Sequence, residues 1–308
     1  MNWLKQGKIF NVSGDFGWMN SHAQIPTVLV LEDRFRVFFS TRKEQGQSLT
    51  TFLDLDISNP SKILYVHDKP ILDLGLPGTF DEHGIMPSDV LKVDDRVYLY
   101  YSGWSKRCSV PYSNLTGLAV SEDNGMTFNR MFDGPILSTN SNEPYSATSP
   151  GVIKYKQEYL MWYCSGTGWR EIEGNYEHVY DIKKACSDDG INWLQQPKSV
   201  INVRSDLEAI TRPVVFEKDN SFHMLYCYRE SRDFRDGNGS YQIGYAYSDD
   251  LENWQRDDDN SGLRLPNSGW DSRMQAYPYV VKANDNIYLF YNGNGFGKTG
   301  FGYALLEK

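Results

Sequence analysis

The chain has 308 residues, 14% of them aromatic, and its 31 Lys and Arg against 40 Asp and Glu give a net charge of −9 at pH 7. This length is compatible with one large all-β domain, and we expect residues 1–308 to form a single domain. The acidic balance, without any basic run, argues against nucleic acid or an anionic membrane as a partner. Because the sequence shows neither a signal peptide nor an apolar run of membrane-spanning length, we expect a cytoplasmic protein.

One short phrase occurs five times along the chain. Its copies are IPTVLV at 25–30, MPSDVLK at 86–92, SPGVIK at 149–154, RPVVFE at 212–217 and YPYVVK at 277–282. The prolines of these copies are separated by 61, 63, 63 and 65 residues. A period this regular predicts five copies of one structural unit.

Each phrase is followed by a polar turn and an aromatic, apolar run. The five runs are RFRVFFSTR, RVYLYYSGW, EYLMWYCSG, FHMLYCYRE and NIYLFYNGN. Runs rich in aromatic and β-branched residues are typical of β-strands. In the three middle units a third strand follows, in GLAVSEDNGMTF, KKACSDDGINW and GYAYSDDLENW. The sequence therefore predicts an all-β fold.

The two ends of the chain complement each other. The fifth unit stops at GFGYALLEK without a fourth strand, whereas the N-terminal NWLKQGKIFN resembles NWLQQPKSVIN at 192–202. If the first strand completes the last unit, no long sheet edge is left exposed. We therefore predict a five-bladed β-propeller whose ring is closed by the N-terminal strand, which completes the last blade.

The segment SEDNGMTF at 121–128 resembles the Asp-box turn of sialidases and other propellers, and looser copies occur at 187–193 and 248–254. In such a turn the glycine relaxes the backbone, Ser and Asp bond to it, and the aromatic residue packs between blades. We predict a structural role for all three copies.

In a propeller the innermost strand of each blade lines the central channel, so side chains around the five phrases should meet at its mouth. The predicted ligand contacts are His22, Gln24, Arg42, Glu82, His83, Trp104, Glu143, Trp169, Arg212, Arg229, Arg273 and Asn292. This mixture of acids, arginines, amides and indoles suits a sugar. Individual acids could instead pair with arginines and lock blades together. Because His22 and His83 lack the spacing of a metal site, we predict no metal and no cofactor.

The blade pattern resembles, over the whole chain, the five-bladed glycoside hydrolases and their relatives: arabinanases and xylosidases, invertases and levansucrases, and mannoside phosphorylases. The phrases HAQIPT, FDEHGIMPS, NLTGLAVSEDNG, GWDSRMQAYP and FYNGNGFGKTGFG are similar to those of uncharacterised bacterial predicted glycosylases of that clan. The resemblance implies catalysis by carboxylates on different blades. It implies Glu208 as the general acid, Asp81 as a helper or base, and Asp271 as a third candidate.

The chain departs from the clan in its first blade. Invertases carry an aspartate after Trp-Met-Asn, but here Trp18-Met19-Asn20 is followed by Ser21, and Asp15 is the acid that lies nearby. We predict that the blade-one carboxylate is lost or relocated. Two carboxylates would still suffice for hydrolysis.

We predict a glycoside hydrolase-like enzyme that cleaves a small glycan or activated sugar by carboxylate acid/base catalysis. Arginines at the channel mouth that are free of partners would favour a sugar phosphate, a nucleotide sugar, an acidic sugar or inorganic phosphate. One alternative is a glycoside phosphorylase, in which phosphate replaces water. A second alternative, favoured by Ser21, is a non-catalytic carbohydrate-binding propeller, and a protein-interaction propeller is a third.

Overall fold

The computed structural model describes residues 1–14, 16–235 and 237–308. Within these ranges the chain consists of β-strands joined by turns, which confirms the predicted all-β class. The helical segments are a 3₁₀ turn at Asp258–Asn260 and a short segment at Asn294–Gly297. No helix of the described residues is long and apolar enough to cross a membrane.

Twenty strands are present in the described ranges. The first ten are β1 (Trp3–Phe10), β2 (Ser21–Val30), β3 (Arg34–Arg42), β4 (Ser48–Asp56), β5 (Ile63–Val66), β6 (Gly84–Val93), β7 (Arg96–Lys106), β8 (Tyr112–Ser121), β9 (Asn129–Arg130) and β10 (Ala147–Tyr155). The other ten are β11 (Glu158–Ile172), β12 (Asn175–Ser187), β13 (Leu194–Ser199), β14 (Glu208–Lys218), β15 (Ser221–Glu230), β16 (Gln242–Ser248), β17 (Gln255–Arg256), β18 (Ala276–Ala283), β19 (Asn286–Asn292) and β20 (Phe301–Leu306).

The described strands form five antiparallel units of four strands. In the first unit β2 pairs with β3, β3 with β4 and β4 with β5. The same order recurs in β6–β9, β10–β13 and β14–β17. In the fifth unit β18 pairs with β19, β19 with β20, and β20 with β1, where Trp3 lies opposite Leu306. The N-terminal strand therefore supplies the fourth strand of the last unit.

The five repeated prolines coincide with an irregularity in the inner strand of each unit. The pairing register shifts at residues 24–27, 87–89, 148–151, 211–214 and 276–279. Proline has no N–H to donate, so it fits where a ladder is interrupted. In a regular strand successive side chains point to opposite faces of the sheet, and a bulge changes the direction of the side chains next to it. Ile25, Ser149, Arg212 and Tyr277, each just before a proline, accordingly have positive φ angles of 58°, 50°, 57° and 55°.

The turn at 121–128 bonds as its sequence predicts. The Ser121 hydroxyl accepts from the Gly125 N–H at 2.8 Å, and Asp123 accepts from the Met126 N–H at 2.9 Å. Phe128 packs edge-on against Phe38 in the neighbouring unit. The same Ser–Asp pattern recurs at 187–189 and 248–250.

One buried guanidinium touches the inner strands of all the other units. Arg212 in β14 is 1% exposed. It donates to the Ser88 carbonyl in β6, to the Pro150 carbonyl in β10 at 3.5 Å, and to Thr27 Oγ1 in β2 at 3.0 Å. Its guanidinium carbon lies 5.4 Å from the ring centroid of Tyr279 in β18. Arg212 thus ties the five inner strands together.

A buried acid reinforces this arrangement. Asp89 in β6 accepts from the Tyr279 hydroxyl at 2.6 Å and from the Val152 N–H in β10. Burial raises the pKa of Asp89, against the opposing effect of these hydrogen bonds. The inner strands are therefore held by polar contacts as well as by packing.

Candidate functional site

A cavity of about 410 Å³ opens where the inner strands of the five units converge. Each inner strand contributes at least one side chain next to its bulge: Gln24, Ile25, Met86, Thr148, Ser149, Thr211 and Tyr277. The rest of the wall comes from the ends of other strands and from loops. It includes Arg42, Trp104, Tyr112, Asn114, Cys164, Trp169, Glu177, His178, Tyr180, Arg229, Phe234, Arg235, Tyr241 and Phe296. We call this cavity the central pocket.

Arg42 brings a positive charge to the wall without a carboxylate against it. It ends β3 and is partly buried, and its Nε donates to Gln24 Oε1 at 3.0 Å. It forms no ion pair with any of the described residues. Burial lowers the pKa of Arg42. Burial, together with the charges of Arg42 and Lys298, lowers the pKa of the adjacent His22 to about 4, so this imidazole is neutral at pH 7.

Arg229 lies in an aromatic cage on another part of the wall. Its Nε donates to the hydroxyls of Tyr180 and Tyr241, at 3.1 and 3.3 Å. The remaining donors reach Ser231 Oγ at 2.9 Å and the His178 carbonyl at 2.6 Å. The two phenol oxygens are also within hydrogen-bonding distance of each other. Burial raises the pKa of both tyrosines, so both are neutral phenols at pH 7.

Trp169 and Trp104 give the pocket two indole surfaces. The Trp169 ring stacks on the His178 imidazole, with centroids 4.3 Å apart and planes 7° apart. Burial and the charge of Arg229 lower the pKa of His178 to about 3, and its Nε2 has no hydrogen-bond partner among the described residues. Trp104 is fixed by a bond from its Nε1 to Ser48 Oγ at 2.7 Å. Indole faces of this kind pack against the C–H surfaces of sugars.

Glu177 is the one carboxylate among the described lining residues. It lies in β12 and is 7% exposed. Arg235 donates to both of its oxygens, at 2.6 and 3.0 Å, and so orients the carboxylate. The sequence analysis missed Glu177, His178 and Tyr180. The signal that could have found them is the length of the β11–β12 hairpin, whose strands have 15 and 13 residues where five or six are usual.

The structure brings together only some of the residues predicted to contact ligand. Gln24, Arg42, Trp104, Trp169 and Arg229 line the central pocket. His22 lies beside Arg42 but outside the lining. The residues that do not line the pocket are Glu82, His83, Glu143, Arg212, Arg273 and Asn292. Asp15, considered as a substitute for the missing blade-one acid, lies outside the described residues.

Most of the residues that the pocket leaves out have other partners. Asn292 is fully buried and bonds to the Ile25 N–H and the Ala23 carbonyl, which joins the fifth unit to the first. Glu82 accepts from the Gly78 N–H at 2.7 Å and faces His83. Arg273 is exposed. Arg212 occupies the centre of the inner strands, as described above.

The three carboxylates predicted to be catalytic also lie outside the lining of the central pocket. Each is nearly buried and paired with a cation from the outermost strand of its unit. Asp81 pairs with Arg130 of β9, Glu208 with Arg256 of β17, and Asp271 with Lys5 of β1.

For Asp81 and Asp271, a tyrosine from the second strand of the unit adds a hydrogen bond, whereas in the fourth unit Tyr226 donates to Asp258 and not to Glu208. The Tyr101 hydroxyl donates to Asp81 and the Tyr291 hydroxyl donates to Asp271, both at 3.0 Å. Tyr163 donates to Glu143 in the same way in the third unit. The repetition indicates an architectural motif of the units, in line with the expectation that some acids lock the strands together. Among the described residues, no three His, Cys, Asp or Glu side chains cluster as metal ligands would.

The chain is similar in sequence to two uncharacterized proteins over its whole length and to a phosphorylase over part of it. No family model matches it. It is 35% identical over 310 residues to the uncharacterized proteins Rv1502 and MT1551 of Mycobacterium tuberculosis, with both chains fully covered. A shorter match, 33% identical over 136 residues, joins 41% of this chain to 44% of the β-1,2-mannobiose phosphorylase of a Thermoanaerobacter species.

Several solved structures with a similar fold are described as glycoside hydrolases or glycosidases. A structure titled glycoside hydrolase matches 98% of this chain and 90% of its own, with a TM-score of 0.75 at 18% identity. A putative glycosidase from Bacteroides thetaiotaomicron matches 98% of this chain and 96% of its own, with a TM-score of 0.73 at 15% identity. A thermostable family-43 glycoside hydrolase matches 93% and 88%, with a TM-score of 0.66 at 15% identity. The chain therefore belongs to the family of Rv1502 and MT1551, and its fold is that of the β-propeller glycoside hydrolases.

Proposed function

We propose that residues 1–308 form one domain, a closed five-bladed propeller in which each four-strand unit is a blade. The pairing of β1 with β20 and the contacts of Arg212 with the other four inner strands support this reading. A closed ring leaves no long sheet edge exposed.

We propose further that the central pocket binds a small carbohydrate. The observation that carries this proposal is the composition of the pocket wall, where the indoles of Trp104 and Trp169 line the same cavity as the guanidinium of Arg42. Aromatic faces accept the apolar side of a sugar ring, and a guanidinium with free donors bonds to its oxygens. A volume of about 410 Å³ accommodates a small glycan or an activated sugar.

The proposed reaction is cleavage of a glycosidic bond. Glu177, oriented by Arg235, takes a proton from water as the water oxygen adds to the anomeric carbon. A phenol of the Tyr180–Tyr241 pair gives its proton to the leaving oxygen as the carbon–oxygen bond breaks. Arg229 stabilises the resulting phenolate through its Nε, and the proton held by Glu177 later restores the phenol.

This assignment differs from the one that the family resemblance implied. The catalytic roles of Glu208, Asp81 and Asp271 stay predictions. Glu177 is also paired with a cation, but it lines the central pocket, whereas substrate would have to reach the other three outside that lining. Burial in an ion pair outside the pocket lining favours a framework role for all three.

A glycoside phosphorylase is the second candidate. It is favoured by Arg42, which has no carboxylate partner among the described residues, and by the partial similarity to a mannobiose phosphorylase. In that reaction inorganic phosphate adds to the anomeric carbon in place of water, so that one carboxylate suffices.

A proton-NMR time course of anomeric signals tests these proposals. Short neutral glycans, sugar phosphates and nucleotide sugars are incubated with the protein, with and without phosphate. We expect turnover that Glu177→Gln lowers at least a hundredfold. Strict dependence on phosphate would select the phosphorylase, and binding of sugars without any turnover would select the binding protein.

A further inference from the structure

The charges around the central pocket differ in sign from those of the whole protein. The chain carries a net charge of −9, yet the described lining residues include three arginines and a single glutamate. Arg235 is neutralised by Glu177. Arg42 and Arg229 remain without an acidic partner among the described residues, so the pocket keeps a positive charge.

Arg42 is the guanidinium with free donors. The bonds of Arg229 are directed at two phenols, a hydroxyl and a carbonyl, and it is 3% exposed. Arg42 donates a hydrogen bond only through its Nε, to the side chain of Gln24. Its two terminal amino groups have no hydrogen-bond partner among the described residues. They form the planar fork that binds a phosphate or carboxylate through two parallel hydrogen bonds.

The surroundings of Arg42 contain further positive charge. Burial is the main reason that the pKa of His22 falls to about 4, and the charges of Arg42 and the exposed Lys298 lower it further. These two positive charges would also attract an anion to this part of the pocket. Removing a guanidinium from water without a counter-charge is costly, and an anionic ligand at Arg42 removes that cost.

We propose that Arg42 forms an anion subsite in the central pocket, which binds a phosphate or carboxylate group alongside the sugar. Trp169 and the Arg229 cage hold the sugar ring, while the fork of Arg42 holds the charged oxygens. This inference rests on the proposed sugar-binding role of the pocket and specifies its substrate class. The charged group is either a substituent of the sugar or a free phosphate ion. Both would present anionic oxygens to the guanidinium of Arg42.

Titration calorimetry with four probes tests the subsite: glucose, glucose 1-phosphate, glucuronate and inorganic phosphate. In the wild-type protein we expect at least one anionic probe to bind ten or more times more tightly than glucose. Arg42→Gln should abolish this preference, and Arg42→Lys should recover only part of it because an ammonium cannot bond in parallel. Arg273→Gln, which removes an exposed arginine outside the pocket lining, is the matched control and should change nothing.

The four probes also identify the source of the charge. Binding of glucose 1-phosphate or glucuronate, but not of inorganic phosphate, assigns the anion to the sugar. Binding of inorganic phosphate that depends on Arg42 and is as tight as that of glucose 1-phosphate assigns it to free phosphate. Equal affinity for all four probes, or an anion preference that survives in Arg42→Gln, overturns the subsite. Because binding is measured without turnover, the subsite can hold even if the proposed cleavage reaction fails.

Discussion

The indole of Trp169 lies parallel to the imidazole of His178, at a centroid separation of 4.3 Å. The two residues face each other across the β11–β12 hairpin, where Trp169 is paired with His178 in register. A neutral imidazole supports one face of the indole, and the Tyr112 ring packs edge-on against it with centroids 5.2 Å apart. Trp169 also lines the central pocket, where a ligand would contact it.

We predict that Trp169→Ala weakens sugar binding by about 1 kcal/mol, or roughly fivefold, because the stacking surface is lost. Trp169→Phe should keep about half of that free energy, since a smaller aromatic face remains. Calorimetric titration with the best ligand measures both effects. Trp18→Ala, outside the pocket lining, is the control, and an equal loss in that variant would contradict a local role for Trp169.

Glu208 and Glu177 can be told apart by stability and turnover. Glu208→Gln removes the charge opposite Arg256, so we expect the free energy of unfolding to fall by about 2 kcal/mol. Turnover of the folded variant should stay within twofold of the wild type. Urea unfolding and the NMR assay measure the two quantities.

The opposite pattern would restore the role that the family resemblance implied. If Glu208→Gln abolishes turnover without shifting the unfolding midpoint, Glu208 contacts substrate. Glu177→Gln should then leave turnover unchanged. The pair of variants thus separates a framework carboxylate from a catalytic one.

The sequence predicted the strands and their order well because the repeat is dense in local signals. Each unit carries a proline at a bulge, an aromatic second strand and, in three cases, a Ser–Asp turn. The match between the two chain ends also predicted that β1 would complete the last unit, and β1 does pair with β20.

The lining of the central pocket was predicted only in part because proximity to a phrase does not determine where a side chain points. Gln24 and Arg42 reach the pocket, whereas Asp81 and Asp271 turn toward tyrosines and outer-strand cations that are distant in sequence. The sequence did not point to Glu177 because this residue lies in β12, the third strand of its unit, far from each of the five repeated proline phrases. Its position depends on how far the β11–β12 hairpin extends over the pocket.

Arg212 is predicted to determine stability rather than ligand binding. Arg212→Met should lower the free energy of unfolding by about 3 kcal/mol, because it leaves buried carbonyl oxygens and the Asp89 carboxylate without a cation nearby. Urea unfolding at pH 7 measures the change. Arg273→Met, at an exposed site, should stay within about 0.5 kcal/mol of the wild type. A loss below 1 kcal/mol for Arg212→Met would refute the role of Arg212 in holding the inner strands.

Stability should fall as the solution becomes acidic, and His178 should account for a defined part of the fall. Burial and Arg229 lower the pKa of His178 from 6.5 to about 3 in the folded protein, where it is 4% exposed. In the unfolded chain His178 becomes protonated near pH 6.5, whereas in the folded protein it stays neutral until the pH approaches 3. The stabilisation is therefore complete above pH 6.5 and is lost as the pH falls toward 3, by about 1.4 kcal/mol per pH unit.

Urea unfolding at pH 7.5, 6.5, 5.5 and 4.5 tests this pH dependence. We expect His178→Gln to flatten the acid side of the profile by about 1.4 kcal/mol per unit between pH 6 and 4, relative to the wild type. His22→Gln should flatten it over a shorter interval, because the folded-state pKa of His22 is about 4 and its titration begins sooner as the pH falls. An unchanged slope in His178→Gln would mean that this imidazole becomes protonated in the folded state. The stack of Trp169 on a neutral ring would then not persist at acidic pH.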